Sequence, residues 1–280
     1  MAIRDSRTGK VVRTYTIEEL QNNATRMRAY DLAVLCAAGS GHAGGTLSIM
    51  DITAALYLHV AEHDPTTPLW AGRDRIVWST GHKAPSLYLG LAFAGYCPIE
   101  DVALLRKLSS PYQGHPHWLK LPGVEVSTGS LGQGLSLAIG IALAGKLNGQ
   151  NFKTFCIMGD GEQQEGQIWE AAMEAAHYKL NNLIGIVDCN RLQIDGKVSD
   201  VMNVDPLDEK YRSFGWEVIR IDGHDMRQIV DGLERAKKVL DKPVVLLADT
   251  VKGKGGELYG GHRGLARKDA YSGRAGKGLS

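Results

Sequence analysis

Short apolar runs alternate with helical patterns along most of the chain. Helical stretches such as GQIWEAAMEAAHYKL at 166–180 and MRQIVDGLERAKKVL at 226–240 separate most of these runs. Strands that are apolar on both faces and alternate with helices are typical of a doubly wound α/β fold with a mostly parallel sheet. The five runs expected as strands are IVWS at 76–79, TFCIM at 154–158, LIGIVD at 183–188, WEVIRI at 216–221 and VVLLAD at 244–249.

The pattern before the first strand predicts two helices. Thr16 and Glu19 have the spacing of a capping box at the start of the first helix, and Gly39 is expected to end it. The loop GSGHAGG and a second apolar helix, LSIMDITAALYLHV, follow. The expected divisions of the chain are a solvated N-terminal arm (1–16), one α/β domain (17–265) and a flexible C-terminal tail (266–280).

The composition is that of an ordinary globular protein. The chain has 280 residues, 44% of them hydrophobic and 22% charged, and its formal net charge of +1 gives no reason to expect a nucleic-acid partner. The four cysteines lie far apart, as in proteins of reducing compartments. The polar N-terminus lacks the core of a signal peptide, and no run approaches the ~18 apolar residues of a membrane span. We therefore expect a soluble, cytoplasmic protein without a membrane partner.

Glycine and polar residues collect where the predicted strands end. In open α/β sheets, ligands bind at the carboxyl ends of the strands. Turns need glycine in any fold, so one such loop would be ambiguous, but several together with acids and histidines favour a binding site. The residues concerned are Gly81-His82, Gly159-Asp160-Gly161, Asn190, Asp222-Gly223-His224 and Lys252-Gly253-Lys254-Gly255.

The sharpest motif is GDGEQQEG at 159–166, followed by an asparagine after the next apolar run. Asp160 and Asn190 are separated by 190 − 160 = 30 residues. If their strands are neighbours, both side-chain oxygens reach one point, and Mg²⁺ or Ca²⁺ prefers such ligands while keeping places for phosphate oxygens. Gly161 would let the backbone approach a phosphate closely. The alternative is a turn in which Asp160 merely caps its helix.

A second glycine-rich segment and four loop histidines add to this motif. The segment GVEVSTGSLGQG at 123–134 contains four glycines and opens into a predicted helix, so its backbone could lie against a flat ligand. Alone, such a loop more often serves packing or nucleotide binding. Histidines in several loops suggest a site that handles hydroxyls, carbonyls and phosphates near neutral pH. These histidines are His42, His82, His115 and His262.

These segments occur together in the order found in transketolases. GSGHAGG, RDRIVWSTGHKAPSLY, GHPH, LPGVEVSTGSLGQG and GDGEQQEGQIWEAA through NRLQIDG span roughly residues 36–196, and VKGKG at 251–255 extends the match to nearly the whole chain. The sequence thus resembles the N-terminal subunit of a split transketolase, which implies the thiamine diphosphate-binding fold. Ser130, where full-length enzymes more often have proline, suits that subunit type.

The resemblance implies a role for each motif residue. Thiamine diphosphate would be the cofactor, with Mg²⁺ or Ca²⁺ held by Asp160, Asn190 and the backbone carbonyl of Leu192. His42, His115 and His262 would be catalytic and face the reacting carbons of the sugar. Glu165 would belong to an acidic link between cofactor sites. The residues expected to contact the cofactor are His82, Gly129, Ser130, Leu131, Gly159, Asp160, Gly161, Glu165, Asn190 and His262.

Two segments depart from the transketolase pattern. Ala43 replaces the usual proline of the Gly-His-Pro-Gly loop, which would loosen the placement of His42. The C-terminal GGHRGLAR only approximates the histidine-glycine segment of the family, so the role of His262 depends on an inexact match.

The resemblance also implies a partner. In transketolases, the glutamate that protonates the aminopyrimidine, the aromatic residues around that ring and the arginines that grip the sugar phosphate belong to a second domain of similar size. We therefore expect a C-terminal transketolase subunit that carries this pyrimidine-binding domain, in a heterotetramer with two copies of each chain. The complex would transfer a two-carbon ketol group from a ketose or ketose phosphate to an aldose or aldose phosphate.

Two other functions remain open at this point. The α subunit of a thiamine diphosphate-dependent 2-oxo acid dehydrogenase shares the motif of Asp160 and Asn190, but it would not need the SGHAGG, STGHKAP and GHPH loops. A degenerate regulatory scaffold would not need to keep the metal ligands or the loop histidines. The physiological sugars are not specified, because the expected phosphate-gripping residues belong to the partner chain.

Overall fold

The computed structural model describes residues 3–194 and 196–256. The strands are β1 (Ile3–Arg4), β2 (Val11–Arg13), β3 (Arg75–Trp78), β4 (Thr154–Gly159), β5 (Leu183–Cys189), β6 (Leu192–Gln193), β7 (Gly196–Lys197), β8 (Glu217–Asp222) and β9 (Val244–Asp249). The α-helices are α1 (Ile17–Ala38), α2 (Ala43–Ser48), α3 (Met50–Ala55), α4 (Ala84–Ala94), α5 (Gln133–Leu147), α6 (Gly166–His177), α7 (Val198–Val201), α8 (Leu207–Ser213) and α9 (Met226–Lys237).

The central sheet confirms the predicted fold class. It has five strands in the order β3-β4-β5-β9-β8, and every neighbouring pair is parallel. All five apolar runs form these strands, and each strand starts within one residue of its predicted position. β4 and β5 are direct neighbours, with Gly159 opposite Asp188. The residues that follow the two strands therefore emerge side by side.

Helices cover both faces of the sheet, which explains why the strands are apolar on both sides. Along β4, Phe155 and Ile157 belong to one buried cluster, whereas Cys156 and Met158 belong to another. The first cluster includes residues of α1, α3, α4 and α9, and the second includes residues of α5 and α6. Because side chains alternate between the faces of a strand, each strand contributes to both cores.

Of the two helices predicted before β3, the first is observed as predicted and the second is divided. Thr16 caps α1 with a complete capping box, because its hydroxyl accepts the N–H of Glu19 and the Glu19 carboxylate accepts the N–H of Thr16 at 2.7 Å. Gly39 ends α1 in the left-handed conformation, with φ 66°. The second predicted helix is divided into α2, α3 and a π-helical turn at 56–60. Its first break comes at Ile49.

The N-terminal arm is docked, which differs from the solvated arm that we expected. β1 and β2 form an antiparallel hairpin, and the N–H of Arg4 donates to the carbonyl of His63 at 2.9 Å. The N–H of Ser6 donates to the Asp64 carboxylate at 2.9 Å, and Ile3 is buried. The polar composition of the arm gave no indication of these hydrogen-bond partners, which lie almost 60 residues further along the chain. The predicted tail at 266–280 and His262 lie outside the described residues, and the 17–265 boundary stays a prediction.

Cys156 and Cys189 are buried, and all four cysteines are free thiols. Within the described part of the chain, no helix combines the length and the apolar character needed to cross a membrane.

A buried carboxylate beneath α2 makes stability depend on pH. Asp31 is fully buried, and its Oδ2 accepts the hydroxyl of Thr46 at 2.6 Å. Its Oδ1 has no hydrogen-bond partner among residues 3–194 and 196–256. Burial raises the pKa of Asp31 to about 7, against the lowering effect of the Thr46 hydrogen bond. The folded protein therefore retains a proton that the unfolded chain releases at lower pH.

We predict that Asp31→Asn stabilises the protein increasingly as the pH rises from about 4 to 7. Between the pKa values of the unfolded and folded states, the wild-type protein must take up a proton at Asp31 when it folds, and this lowers its stability as the pH rises. Asparagine is neutral at every pH and has no such cost. The gain should grow by at most about 1.4 kcal/mol per pH unit and then level off. Chemical denaturation at several pH values measures it, with the exposed Asp241→Asn as control. A gain that is equal at pH 4 and pH 7 would contradict the prediction.

Candidate functional site

A cavity of about 380 Å³ lies at the carboxyl edge of the sheet. Loops that follow β3, β4, β5 and β9 form its walls, together with the start of α2. Glycines make up much of the lining, so the backbone can approach a ligand closely. The lining residues are His42, Gly44, Gly45, Thr80, His82, Lys83, Gly129, Leu131, Gly159, Asp160, Gly161, Glu162, Gln164, Glu165, Asn190, Leu192, Gln193, Ile194 and Lys252.

Asp160 and Asn190 meet in this cavity, as their spacing predicted. Asp160 directly follows β4 and Asn190 directly follows β5, and both side chains are buried. The Asp160 carboxylate accepts the N–H of Gly161 at 2.8 Å and the N–H of Arg191 at 2.5 Å. Burial first, and then the charge of Asp188, raise the pKa of Asp160 to about 6. Within the described chain, this carboxyl therefore lacks a nearby cation that would fully compensate its charge.

A buried ion pair orients the Asn190 amide. Asp188 has no exposed surface, and its Oδ2 accepts the Lys83 ammonium at 2.5 Å and the Asn190 amide N–H at 3.1 Å. Burial alone would raise the pKa of Asp188, but Lys83 holds it below its usual range. Because the NH₂ of Asn190 donates to a carboxylate, its oxygen must point the other way. That oxygen accepts the N–H of Leu192 at 3.1 Å and remains available to a cation.

Glu162 ties the glycine-rich loop to the end of β4. Its carboxylate accepts the N–H of Gly132 at 2.8 Å, the N–H of Gly159 at 3.0 Å and the hydroxyl of Ser79. Gly132 is the N-cap of α5 and has a φ of 83°, in the left-handed region that favours glycine. One buried carboxylate thus fixes three loops that border the cavity.

Three of the four predicted histidines gather at one side of the site. The rings of His42 and His82 lie edge to face with centroids 5.3 Å apart. Burial first, and then the neighbouring Lys83, lower the pKa of His82 to about 3, so this ring is neutral at physiological pH. His115 is more exposed, and a Cβ on Gly129 would lie 3.2 Å from its ring. Burial and then Arg106 lower the pKa of His115.

The predicted site residues fall into three groups. Ten of them line the cavity: His42, His82, Gly129, Leu131, Gly159, Asp160, Gly161, Glu165, Asn190 and Leu192. His115 and Ser130 lie beside it, and the exposed Ser130 hydroxyl accepts a hydrogen bond from Gln133 of α5. The third group is His262, which lies outside the described residues.

Several lining residues were not predicted from the sequence. Lys83, Glu162 and Lys252 all stand inside quoted motifs, yet none of them received a role. Lys83 is buried, but its neighbours in STGHKAPS are mostly small or polar, so the local sequence did not signal that burial. Glu162 and Lys252 gave no signal either, because charged residues in glycine-rich turns are usually solvated.

The residues fit a divalent cation together with a diphosphate. Among residues 3–194 and 196–256, no group of three His, Cys, Asp or Glu could hold a metal ion. A cation here would therefore depend on Asp160, neutral oxygens and oxygens of the ligand, which is the set that Mg²⁺ and Ca²⁺ accept. The buried Thr80 hydroxyl lines the cavity without a hydrogen-bond partner among the same residues. The glycine lining and two lysines suit an anionic ligand.

Comparisons with known proteins identify the family of this chain. The family described as transketolase, thiamine diphosphate binding domain, matches residues 17–266. SqwG, a 6-deoxy-6-sulfo-D-fructose transketolase subunit of Clostridium sp. (strain MSTE9), is 43% identical over 87% of this chain and 88% of its own length. One subunit of the apulose-4-phosphate transketolase of Phocaeicola vulgatus is 38% identical over 90% of each chain.

Solved structures give the same result. The transketolase of Campylobacter jejuni superposes with a TM-score of 0.83 at 38% identity. That match covers 90% of this chain but 40% of the Campylobacter enzyme, so the chain spans about two fifths of that enzyme's length. With its parallel sheet, the placement of Asp160 and Asn190 after neighbouring strands, and these relatives, the chain belongs to the transketolase family and corresponds to the part that binds thiamine diphosphate.

Proposed function

We propose that this chain is the cofactor-diphosphate-binding subunit of a two-component transketolase. The observation that carries the proposal is the placement of Asp160 and Asn190 at the ends of adjacent parallel strands, inside a glycine-lined cavity. Two relatives that match nearly their full length are named as transketolase subunits. The active complex transfers a two-carbon ketol group from a ketose to an aldose.

The metal ion in this proposal is Mg²⁺ or Ca²⁺. Asp160 supplies the charged ligand, Asn190 supplies its amide oxygen, and Leu192 supplies its backbone carbonyl. Leu192 lines the cavity directly after the Asn190 turn. An ion at this point would neutralise the diphosphate and lower the pKa of Asp160, which burial now raises.

When bound, thiamine diphosphate supplies the electron sink for breaking the carbon–carbon bond beside a ketose carbonyl. The protein's own part is to bind, orient and move protons. His82 stays neutral because its pKa is low, so it can donate one hydrogen bond and accept another beside the diphosphate. His115 orients the donor hydroxyls, and His42 serves proton transfer to the acceptor oxygen.

The partner is a C-terminal transketolase subunit that carries the pyrimidine-binding domain. An apolar stripe on α5 supports such a partner, because Leu137 is 42% exposed and Leu147 is 85% exposed on the same helix face as Gly140 and Ala144. On the neighbouring α6, Met173 is 58% exposed. Two copies of each chain would form a heterotetramer, and Glu165 at the cavity rim would belong to the acidic link between its sites.

The substrates are sugars or sugar phosphates. The relatives named above act, by their names, on a sulfonated ketose and on a ketose phosphate, so an anionic ketose is the donor we propose. A 2-oxo acid dehydrogenase α subunit is disfavoured by the family match over 17–266. A degenerate scaffold is disfavoured because Asp160, Asn190 and the loop histidines are all present. We expect the proposed transketolase subunit to be located in the cytoplasm.

The first test concerns the partner. We expect the purified chain to show no ketol transfer and weak cofactor binding, and to gain both when a C-terminal transketolase subunit is added. The described cavity supplies charge neutralisation, but the resemblance assigns the activating glutamate to the other chain. A coupled assay on a ketose phosphate and an aldose acceptor, run with each chain alone and with both, measures this. Substantial transfer by this chain alone would contradict the two-component proposal.

The second test concerns the metal. Asp160→Ala should weaken metal-dependent cofactor binding by roughly 100-fold or more, which corresponds to about 2.7 kcal/mol. Asn190 alone cannot replace the charged ligand. Titration calorimetry of the two-chain complex with thiamine diphosphate and Mg²⁺ measures the change, and the exposed Asp200→Ala is the control. Unchanged binding by Asp160→Ala would exclude this metal site.

The third test separates binding from chemistry. His82→Ala should weaken the cofactor, because His82 lies in the cavity beside Lys83. His115→Ala should retain the cofactor but reduce use of the donor ketose by roughly 100-fold, the loss expected when a substrate is misplaced by about 1 Å. Cofactor affinity and kcat/KM for the donor are compared in both variants. If the two phenotypes are exchanged, the roles given to these loops are wrong.

A further inference from the structure

His224 lies at the carboxyl end of β8, outside the lining of the cavity. Its Nδ1 is 2.8 Å from Oδ2 of Asp51. The backbone N–H of Val251 donates to its Nε2 at 2.9 Å. Because that N–H can only donate, Nε2 must carry no proton, so the ring proton lies on Nδ1 and donates to Asp51. The two contacts together fix both the tautomer and the plane of the ring.

Asp51 is a rigid anchor for this ring. The Arg28 guanidinium donates to both carboxylate oxygens of Asp51, at 3.0 and 2.5 Å, and also to the carbonyl of Leu47 at 3.2 Å. Only about a tenth of either charged side chain is exposed. Burial alone would raise the pKa of Asp51, but the hydrogen bonds from His224 and Arg28 lower it. A bidentate ion pair has a specific geometry, so it fixes the Asp51 carboxylate and with it the oxygen that His224 contacts.

The segment that His224 holds, residues 251–256, carries a lysine into the cavity. Lys252 lines the cavity directly after Val251. Its aliphatic stem crosses Gly44, where a Cβ would lie 2.8 Å from the lysine Cε. The N–H of Gly253 donates to the carbonyl of Gly44 at 2.9 Å. The position of the Lys252 side chain in the cavity therefore depends on where residues 251–256 lie relative to α2.

The sheet stops supporting the chain just before this segment. Asp249 still pairs with Cys189 of β5 and with Asp222 of β8. Thr250 still donates its N–H to the carbonyl of Cys189 and its hydroxyl to Asp188. From Val251 onward no strand partner is present in the described chain, and His224 makes the first side-chain hydrogen bond to the segment.

We propose that His224 is a positioning residue, anchored by Arg28 and Asp51, that holds residues 251–256 so that Lys252 presents its charge to the anionic ligand of the cavity. The identity of that ligand rests on the proposed function, whereas the hydrogen bond between Val251 and His224 is independent of it. His224 touches neither the cavity nor the reacting atoms. Its effect on the ligand passes through Lys252.

Two substitutions of similar size separate the two hydrogen bonds. In His224→Asn, the side-chain amide can still donate to Asp51, as Nδ1 does, but it is too short to reach Val251. In His224→Gln, the amide oxygen can occupy the place of Nε2 and accept the Val251 N–H. We expect the asparagine variant to release the segment and the glutamine variant to retain it in part, because glutamine keeps the acceptor for Val251 but loses the hydrogen bond to Asp51. Neither change leaves a large cavity.

Hydrogen exchange on the full chain tests the hold itself. In His224→Asn, the Val251 amide should exchange about 10-fold faster or more, as expected when a bond that closes a segment is lost. In His224→Gln, the Val251 amide should exchange at a rate between those of wild type and His224→Asn, because the acceptor is kept but the hydrogen bond to Asp51 is lost. Amides in β9 report global stability, and their exchange rates should be the same in both variants and in wild type. Equal exchange of Val251 in wild type and His224→Asn would overturn the proposal.

A double-mutant cycle tests the link to the ligand. In the complex with the C-terminal subunit, His224→Asn should raise the Kd for thiamine diphosphate with Mg²⁺ by about 10-fold, the lower end for supporting residues around a bound group. Lys252→Ala should remove this effect, so the double variant should match Lys252→Ala alone. Additive losses would overturn the proposal, because they would mean that His224 acts by general destabilisation.

The two proposals fail in different ways. If the wild-type complex binds no thiamine diphosphate, the proposed function fails, and faster Val251 exchange in His224→Asn still supports the hold. If the complex binds the cofactor and His224→Asn changes neither the Kd nor the exchange, the hold fails and the proposed function stands.

Discussion

A carboxylate without any exposed surface must be compensated from within the protein, and Asp188 collects its donors from several distant parts of the chain. Lys83 follows β3, Ser48 ends α2, and Thr250 follows β9. Asn190 donates the fourth hydrogen bond. Removing one partner from such a pair leaves an uncompensated buried charge, which costs about 3–5 kcal/mol. These loops therefore cannot shift independently, and the cavity that they border keeps its shape.

The same compensation determines the electrostatics of the site. Lys83 neutralises Asp188, but the charge of Asp188 still acts on Asp160, and Asp160 has no such cation of its own among the described residues. The raised pKa of Asp160 and the lowered pKa of His82 have one common cause, since burial disfavours the charged form of each group. A cation bound at Asp160 would relieve the first effect. A diphosphate bound beside it would in turn be neutralised by the cation and the lysines.

The sequence predicted those features that local pattern determines. Apolar runs located all five sheet strands, and the capping box at Thr16 located the start of α1. The placement of Asp160 and Asn190 at the ends of neighbouring strands was also predictable, because consecutive strands joined by one helix are commonly neighbours. The ion pair of Lys83 with Asp188 was not, since 105 residues separate the two and no local pattern joins them. The docking of the N-terminal hairpin on residues 62–64 escaped prediction for the same reason.

The two sides of the cavity are held by different kinds of interaction. On one side, buried charges and the parallel strands β4 and β5 hold the Asp160 and Asn190 side chains in place. Around Lys252, backbone hydrogen bonds and one histidine hold a segment that has already left the sheet. Local opening has a lower free energy where fewer buried contacts hold the chain. The Asp160 and Asn190 side is therefore preorganised, whereas the position of Lys252 depends on a segment held by fewer contacts.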